Sequence, residues 1–252
     1  MLRERHELRG DLTTAPLTIV TGGSRGIGAA ICARLAADGH DLVVGYRADR
    51  AAAESVAEAA RTAGRRAIVA QVETSEEGSV DALFALADEF GTVTGLVNNA
   101  AISGPVGNLI DADVAEMRHA IDVNFVGYLL CARRAIRSLA AGGAIVNMSS
   151  AAATLGSPGT YVHYAASKAA VDALTFGLAK ELGPCNIRVN AVAPGIILTE
   201  FHLDPDRPAK LASTIPFGRP GHPSEIAGAV SWLLSADASY TSGTVLRVAG
   251  GL

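Results

Sequence analysis

The sequence predicts an α/β protein built as one doubly wound parallel β-sheet with helices on both faces. Three observations predict it. Strand-like and helix-like runs alternate from residue 17 to the C-terminus. A glycine-rich turn joins the first strand directly to the first helix. No linker or repeat divides the chain, and 252 residues that are 49% hydrophobic suit one full-sized core. Strands alternating with helices of this length imply right-handed crossovers, and sheets so formed bind ligands at the carboxyl ends of their strands.

The elements follow in order. Residues 1–16 are polar and charged and read as a flexible tail ahead of a single domain, 17–252. Residues 17–21 form a short β-rich strand. In 26–38, Ile27, Ile31 and Leu35 recur one turn apart, as in a helix with one buried stripe. Residues 41–46 are a second strand, 49–63 an alanine-rich helix stopped by Gly64, and 66–71 a third strand. Val80, Leu83, Phe84 and Ala87 share one face of a helix over 76–90. A strand at 95–98, a long helical stretch at 113–141 and a strand at 144–149 come next. A long helix over 161–183 and a strand at 187–193 precede an irregular segment, 196–222, rich in proline and charge and placed to act as a lid. A helix at 223–235 and a strand at 244–248 close the chain.

Composition narrows the function. The net charge of -4 comes without a basic stripe, which argues against a nucleic-acid partner. No apolar run is long enough to span a bilayer, and the N-terminus lacks the apolar core of a signal peptide, so the expected location is the cytoplasm. Cys32, Cys131 and Cys185 are far apart and read as reduced thiols. The six histidines show no HExxH pattern, so no metal is expected.

Three features carry chemistry. Thr21-Gly22-Gly23-Ser24-Arg25-Gly26-Ile27-Gly28 lies between strand and helix. Its glycines let the backbone approach a phosphate, and the helix N-terminus offers N–H groups to a pyrophosphate. After the second strand, Val43-Val44-Gly45-Tyr46-Arg47 lacks the acid that meets a ribose 2′-hydroxyl, whereas Arg25 and Arg47 suit a 2′-phosphate. That favours NADP(H), with NAD(H) as the alternative. Finally, Tyr164 and Lys168 stand four apart on the long helix and share a face. An ammonium near a phenol lowers the phenol pKa and makes it a usable proton donor and acceptor.

Together these motifs resemble the short-chain dehydrogenase/reductase family, from Leu17 to the C-terminus. Thr21–Gly28 is similar to its TGxxxGxG turn, Asn98-Asn99-Ala100-Ala101 to its NNAG segment, and Asn124 to its helix asparagine. Ser150, Tyr164 and Lys168 are similar to its serine and YxxxK pair, and Asn190–Gly195 with Thr199 to its NxVxPG…T segment. The resemblance implies a Rossmann-type sheet and an oxidoreductase acting on a carbonyl or a CH–OH group of a small molecule. It closes most nearly on sugar-dehydrogenase-like and ketoacyl-reductase-like members. It implies that Ser150 donates to the substrate oxygen, that Tyr164 exchanges a proton with it, that Lys168 holds the nicotinamide ribose, and that Asn124 positions a relay water. Gly22, Ser24, Arg25, Gly26, Ile27, Gly28, Tyr46, Arg47, Asn98, Ala100, Pro194, Gly195, Ile197 and Thr199 would contact the cofactor along with Tyr164 and Lys168. It also implies a homodimer or homotetramer.

The chain departs from the pattern in places. Ala101 replaces a glycine, and Val72-Glu73 stands where many members have an adenine-contacting aspartate. Ser150 lies one residue farther from Tyr164 than is common, which leaves Ser149 as a second candidate for the same role. Phe201, His202 and Leu203 on the lid and the loop 103–108 are placed to meet substrate, whose identity the residues leave open. Trp232 reads as core or subunit interface, and His163 as a packing residue. A second reading is a regulatory protein that senses NADP(H) without turnover, but members that lost turnover often lack the catalytic set found here.

Overall fold

The computed structural model describes residues 15–201 and 203–252. Residues 1–14 of the expected tail and His202 of the expected lid lie outside the described residues. The strands are β1 (Leu17–Val20), β2 (Asp41–Tyr46), β3 (Ala67–Gln71), β4 (Val93–Asn98), β5 (Ala144–Met148), β6 (Arg188–Pro194) and β7 (Val245–Val248). They form one sheet in the order β3-β2-β1-β4-β5-β6-β7, every neighbouring pair parallel. The order reverses between β1 and β4, and a crevice opens there at the carboxyl ends of the strands.

Helices cover both faces. They are α1 (Gly26–Ala37), α2 (Arg50–Thr62), α3 (Glu77–Phe90), α4 (Val114–Ile121), α5 (Gly127–Ser138), the short α6 (Ala152–Leu155), α7 (Val162–Leu182), the short α8 (Arg207–Lys210) and α9 (Pro223–Leu234). Strand side chains alternate between two apolar layers. Val20, Val44 and Val146 pack with Ile31 and Leu35 of α1 and Val230 and Leu233 of α9. Ile19, Val43 and Ile145 pack with Leu83 and Phe84 of α3 and Ala132 and Ala135 of α5. A strand buried on both faces reads as a continuous apolar run, as β1, β2 and β5 do.

Two expectations needed revision. The helical stretch 113–141 is two α-helices joined by a π-helical turn, Asp122–Val126, and it ends at Ser138. One extra residue per turn rotates the helix face, and here it buries Asn124. The fourth strand starts at Val93, two residues ahead of Gly95. Gly95 does not end the strand. A Cβ there would fall 2.6 Å from Thr18 Oγ1 on β1, so the glycine marks a close strand approach. Among the described residues no helix is long and apolar enough to cross a membrane, and no cluster of His, Cys, Asp or Glu is arranged to hold a metal.

Candidate active site

The crevice at the strand-order reversal is a groove of about 350 Å³. One end is built by the turn after β1. Gly22 and Gly26 adopt φ of 62° and 54°, left-handed conformations that favour glycine. Gly28 is required for a different reason: a Cβ on it would collide with the Gly22 carbonyl oxygen. Asn99 holds the turn from the other side, its Nδ2 donating to the carbonyls of Thr21 (3.0 Å) and Gly22 (2.9 Å). Thr21 Oγ1 accepts from the N–H groups of Asn99 (3.0 Å) and Ala100 (3.1 Å). Helix α2 is capped by its own Asp49, which accepts from Ala52 N–H at 2.9 Å, but α1 has no side-chain cap. The first-turn amides of α1 therefore face the groove as donors for an anion.

This cradle fits a dinucleotide phosphate, and its fit depends on a missing side chain. Gly28→Ala should weaken dinucleotide binding at least tenfold and lower stability by about 1–3 kcal/mol, because the new methyl group must push the Gly22 carbonyl aside. Titration with nucleotide and urea unfolding of the same variant check both effects.

Along the groove, Tyr46 ends β2 and Arg47, Ala48 and Asp49 follow it, and Val72, Glu73 and Thr74 follow β3. Arg25 and Arg47 are both exposed at this end. Asp49 stands two residues beyond Arg47, and its Oδ1 is occupied as the α2 cap. Glu73 Oε1 accepts from the Ser75 hydroxyl at 2.9 Å, so its carboxylate is tied back to its own loop.

The inner end of the groove holds Ser150, Tyr164 and Lys168 together. A buried polar chain sets α7 beneath β5. Asn98 Nδ2 donates to Asn147 Oδ1 (3.0 Å), Asn147 Nδ2 to Thr175 Oγ1 (3.0 Å), and Thr175 Oγ1 to Val171 O (2.9 Å). With α7 fixed, the Tyr164 hydroxyl meets the Ser150 hydroxyl, which also accepts from Ala152 N–H at 3.1 Å. Ser149 turns inward instead, donating to Lys168 O at 3.4 Å and meeting Asp172. The ring of Tyr161 stands edge-on to that of Tyr164 with centroids 5.1 Å apart, and Phe201 of the lid sits 5.8 Å from it.

Lys168 is buried. Its Nζ donates to Met148 O (2.8 Å) and Tyr128 OH (3.2 Å) and lies 5.8 Å from the Tyr164 ring centroid. Burial pushes its pKa down to about 7, against the pull of Asp172. Burial also pushes the Tyr164 phenol well above its ordinary range, with the Ser150 hydrogen bond acting the other way. In the chain alone the raising effect of burial outweighs the lowering expected from Lys168. Desolvation dominates, and the ammonium is spent on a carbonyl and a second tyrosine.

Two other expected site residues stand behind the groove. Asn98 is fully buried in the sheet and ties β4 to β5. Asn124 makes a reciprocal pair with Ile102, accepting from its N–H (2.9 Å) and donating to its carbonyl (2.8 Å), and donates to Ser167 Oγ (3.4 Å). It therefore fixes the groove wall at Ile102. The remaining residues expected to contact a cofactor, Gly22, Ser24, Arg25, Gly26, Ile27, Gly28, Tyr46, Arg47, Ala100, Pro194, Gly195, Ile197 and Thr199, all line the groove. Sequence reasoning missed Tyr128, Met148 and Tyr161. Only Tyr128 left a signal, standing one helical turn beyond Asn124.

Comparison with known proteins places this geometry in context. A family model described as enoyl-(acyl carrier protein) reductase matches residues 22–252. An uncharacterized oxidoreductase of Escherichia coli, YgfF, is 42% identical over 244 residues, spanning 93% of this chain and 99% of that protein. A cis-4-hydroxycyclohexanecarboxylate dehydrogenase of Sinomonas cyclohexanicum is 40% identical over 247 residues, spanning 96% and 98%. A crystal structure of a short-chain dehydrogenase from Burkholderia cenocepacia in complex with NADP superposes with a TM-score of 0.89 at 36% identity, covering 94% of this chain and 97% of that one.

Proposed function

Because the chain belongs to the short-chain dehydrogenase/reductase family, we propose that it is an NADP(H)-dependent enzyme that interconverts a carbonyl and a secondary alcohol, with Tyr164 as general acid and base. The observation that carries this reading is convergence. One groove runs from the uncapped N-terminus of α1 to a tyrosine hydroxyl, a serine hydroxyl and a buried lysine. The bound nicotinamide would supply or accept the hydride. Everything else falls to the chain. The turn at Gly22–Gly28 would hold the pyrophosphate, and Pro194, Gly195, Ile197 and Thr199 would line the nicotinamide end. Ser150 and Tyr164 aim two hydroxyl donors at one substrate oxygen, which stabilises the negative charge that develops there. In reduction the proton on the new hydroxyl comes from Tyr164, and in oxidation the phenolate takes it back. A neutral phenol is the form needed for reduction, and burial favours that form.

The NADP-bound relative supports NADP(H) over NAD(H), as do Arg25 and Arg47. A planar guanidinium gives a 2′-phosphate bidentate hydrogen bonds that a ribose hydroxyl cannot use as well. Arg47→Ala should weaken NADPH binding by roughly tenfold or more and leave NADH within about twofold. Equal losses in a binding titration would remove Arg47 from the phosphate site. The named activity of the Sinomonas relative supports a ring alcohol or ketone as substrate. A panel of cyclic and open-chain ketones, aldehydes and sugars, read by nicotinamide absorbance, tests the reading as a whole: no turnover of any member with either nucleotide would overturn it.

An oligomer in the cytoplasm fits the same picture. Leu129 on α5, Phe176 on α7 and Trp232 on α9 are exposed apolar residues available to a neighbouring copy.

A further inference from the structure

The inner end of the groove has two walls. Ala101 and Ile102, on the loop after β4, form one. Tyr161, which precedes α7, and Tyr164 on its first turn form the other. One residue beyond Ile102 and one before Tyr164, a side chain joins the two walls. His163 Nε2 lies 2.9 Å from the Ser103 carbonyl oxygen. A carbonyl only accepts, so this ring nitrogen carries the hydrogen and donates. His163 is buried.

The loop side makes room for this bond. Gly104 has a φ of 70°, a left-handed conformation that favours glycine. A Cβ on it would fall 2.5 Å from His163 Nε2 and 3.0 Å from the Ala120 Cβ of α4. The loop thus passes between α4 and α7 at a residue with no side chain. A second bond runs beside the first, from Gly107 N–H to Thr160 O at 2.7 Å. The sequence suggests only packing for His163, and packing needs no donor. An apolar ring would fill the same space and leave the Ser103 carbonyl without this partner, which costs free energy where water cannot replace it.

We propose that His163 is a positioning residue that ties the loop 102–108 to the start of α7 and so sets the width of the groove where the substrate's carbon skeleton lies. It acts through Ile102 and Tyr161, the lining residues near its two ends. The phosphate turn is held separately, by Asn99 and Thr21, so the tie bears on substrate and not on nucleotide. The Tyr164 and Ser150 hydroxyls meet each other without it, so the chemical step is spared. This assignment rests on the carbonyl–alcohol reading above for where the substrate lies.

The test uses His163→Phe, which keeps a ring and removes the donor, and His163→Gln, whose amide offers a donor at similar reach. The substrate is the ketone or aldehyde of the panel that the parent turns over best, with saturating NADPH. His163→Phe should raise its KM roughly five- to twentyfold, the range of one lost hydrogen bond, with kcat within about threefold and NADPH binding within about twofold of the parent. His163→Gln should recover most of that loss. Gly104→Ala, which sets a methyl group against the ring from the loop side, should act in the same direction as His163→Phe. A residue that serves only the fold would lower the active fraction instead, so a fall in kcat at unchanged KM overturns the proposal. A second readout needs no turnover. With NADP⁺ bound, the amides of 102–108 should exchange hydrogen roughly tenfold faster in His163→Phe than in the parent, while those within α7 keep their rates. His163→Gln should reverse the change. Equal exchange in parent and His163→Phe also overturns the proposal. Faster exchange of 102–108, reversed by His163→Gln, in a protein that turns over no member of the panel would overturn the reading of the reaction and leave the tie standing.

Discussion

Tyr164→Phe is expected to lower kcat by about 10²–10⁴-fold while leaving NADPH binding within about twofold of the parent. The substitution removes one oxygen and keeps the ring. The ring is what packs on Tyr161 and Phe201, at 5.1 and 5.8 Å. The lost hydroxyl has Ser150 as its partner, and Ser150 keeps the Ala152 N–H. Stability should therefore change by no more than about 1 kcal/mol. A loss confined to kcat identifies the group that transfers the proton. A variant as active as the parent on a good substrate would show that another group is the acid. The pH profile adds a signed check. The phenol's pKa is raised by burial, so the proton donor for reduction is present throughout the neutral range. Oxidation needs the phenolate, and its rate in the parent should climb as pH rises towards the alkaline side. The residual rate of Tyr164→Phe should not follow that climb.

Much of this site could be read from the sequence because its parts are local. The phosphate turn is a run of glycines between a strand and a helix, and its φ values follow from residue type. Tyr164 and Lys168 are four apart on one helix, so their shared face needs no knowledge of the fold. The strands were legible because those of a parallel sheet covered on both sides are continuous apolar runs.

The unread parts are contacts that cross the fold. Nothing in the spacing of Lys168 says that Tyr128 and the Met148 carbonyl will take its ammonium, because these come from α5 and β5. The placement of Asn124 depends on a π-turn, which has no strong residue signature, and the extra residue turns its side chain to Ile102. Arg207 falls in the irregular segment that the sequence marks only as rich in proline and charge. Only the packing of the lid shows it stacked on Tyr161. The fourth strand reads from Gly95 onward in the sequence, and Val93 joins it only through its pairing with Leu17 of β1, another contact that crosses the fold.

Lys168→Met is expected to inactivate the enzyme and yet stabilise it at neutral pH. An unfolded chain carries Lys168 at its ordinary pKa of 10.5, whereas burial holds it at about 7 in the fold. Between those values the unfolded state binds more protons than the native state, so the lysine makes stability rise with pH across that window. Its cost is fully present below about pH 7 and is gone above about pH 10.5. At pH 7 the difference corresponds to roughly 4 kcal/mol. Part of that gain is offset in the variant, because the Met148 carbonyl and the Tyr128 hydroxyl lose their donor. A net rise of about 1–3 kcal/mol at pH 7 should remain, shrinking towards zero or changing sign by pH 10. Urea unfolding of both proteins at several pH values, without added nucleotide, measures it. A variant that is less stable than the parent by the same amount at every pH would mean that Lys168 is bound without a desolvation cost. Saturating NADP⁺ gives the complementary result. Nucleotide that bonds to the ammonium should stabilise the parent more than the variant and close the gap between them. A lysine that weakens the fold despite its bonds to the Met148 carbonyl and the Tyr128 hydroxyl is retained for chemistry, which is the reason to place it at the reacting end of the groove.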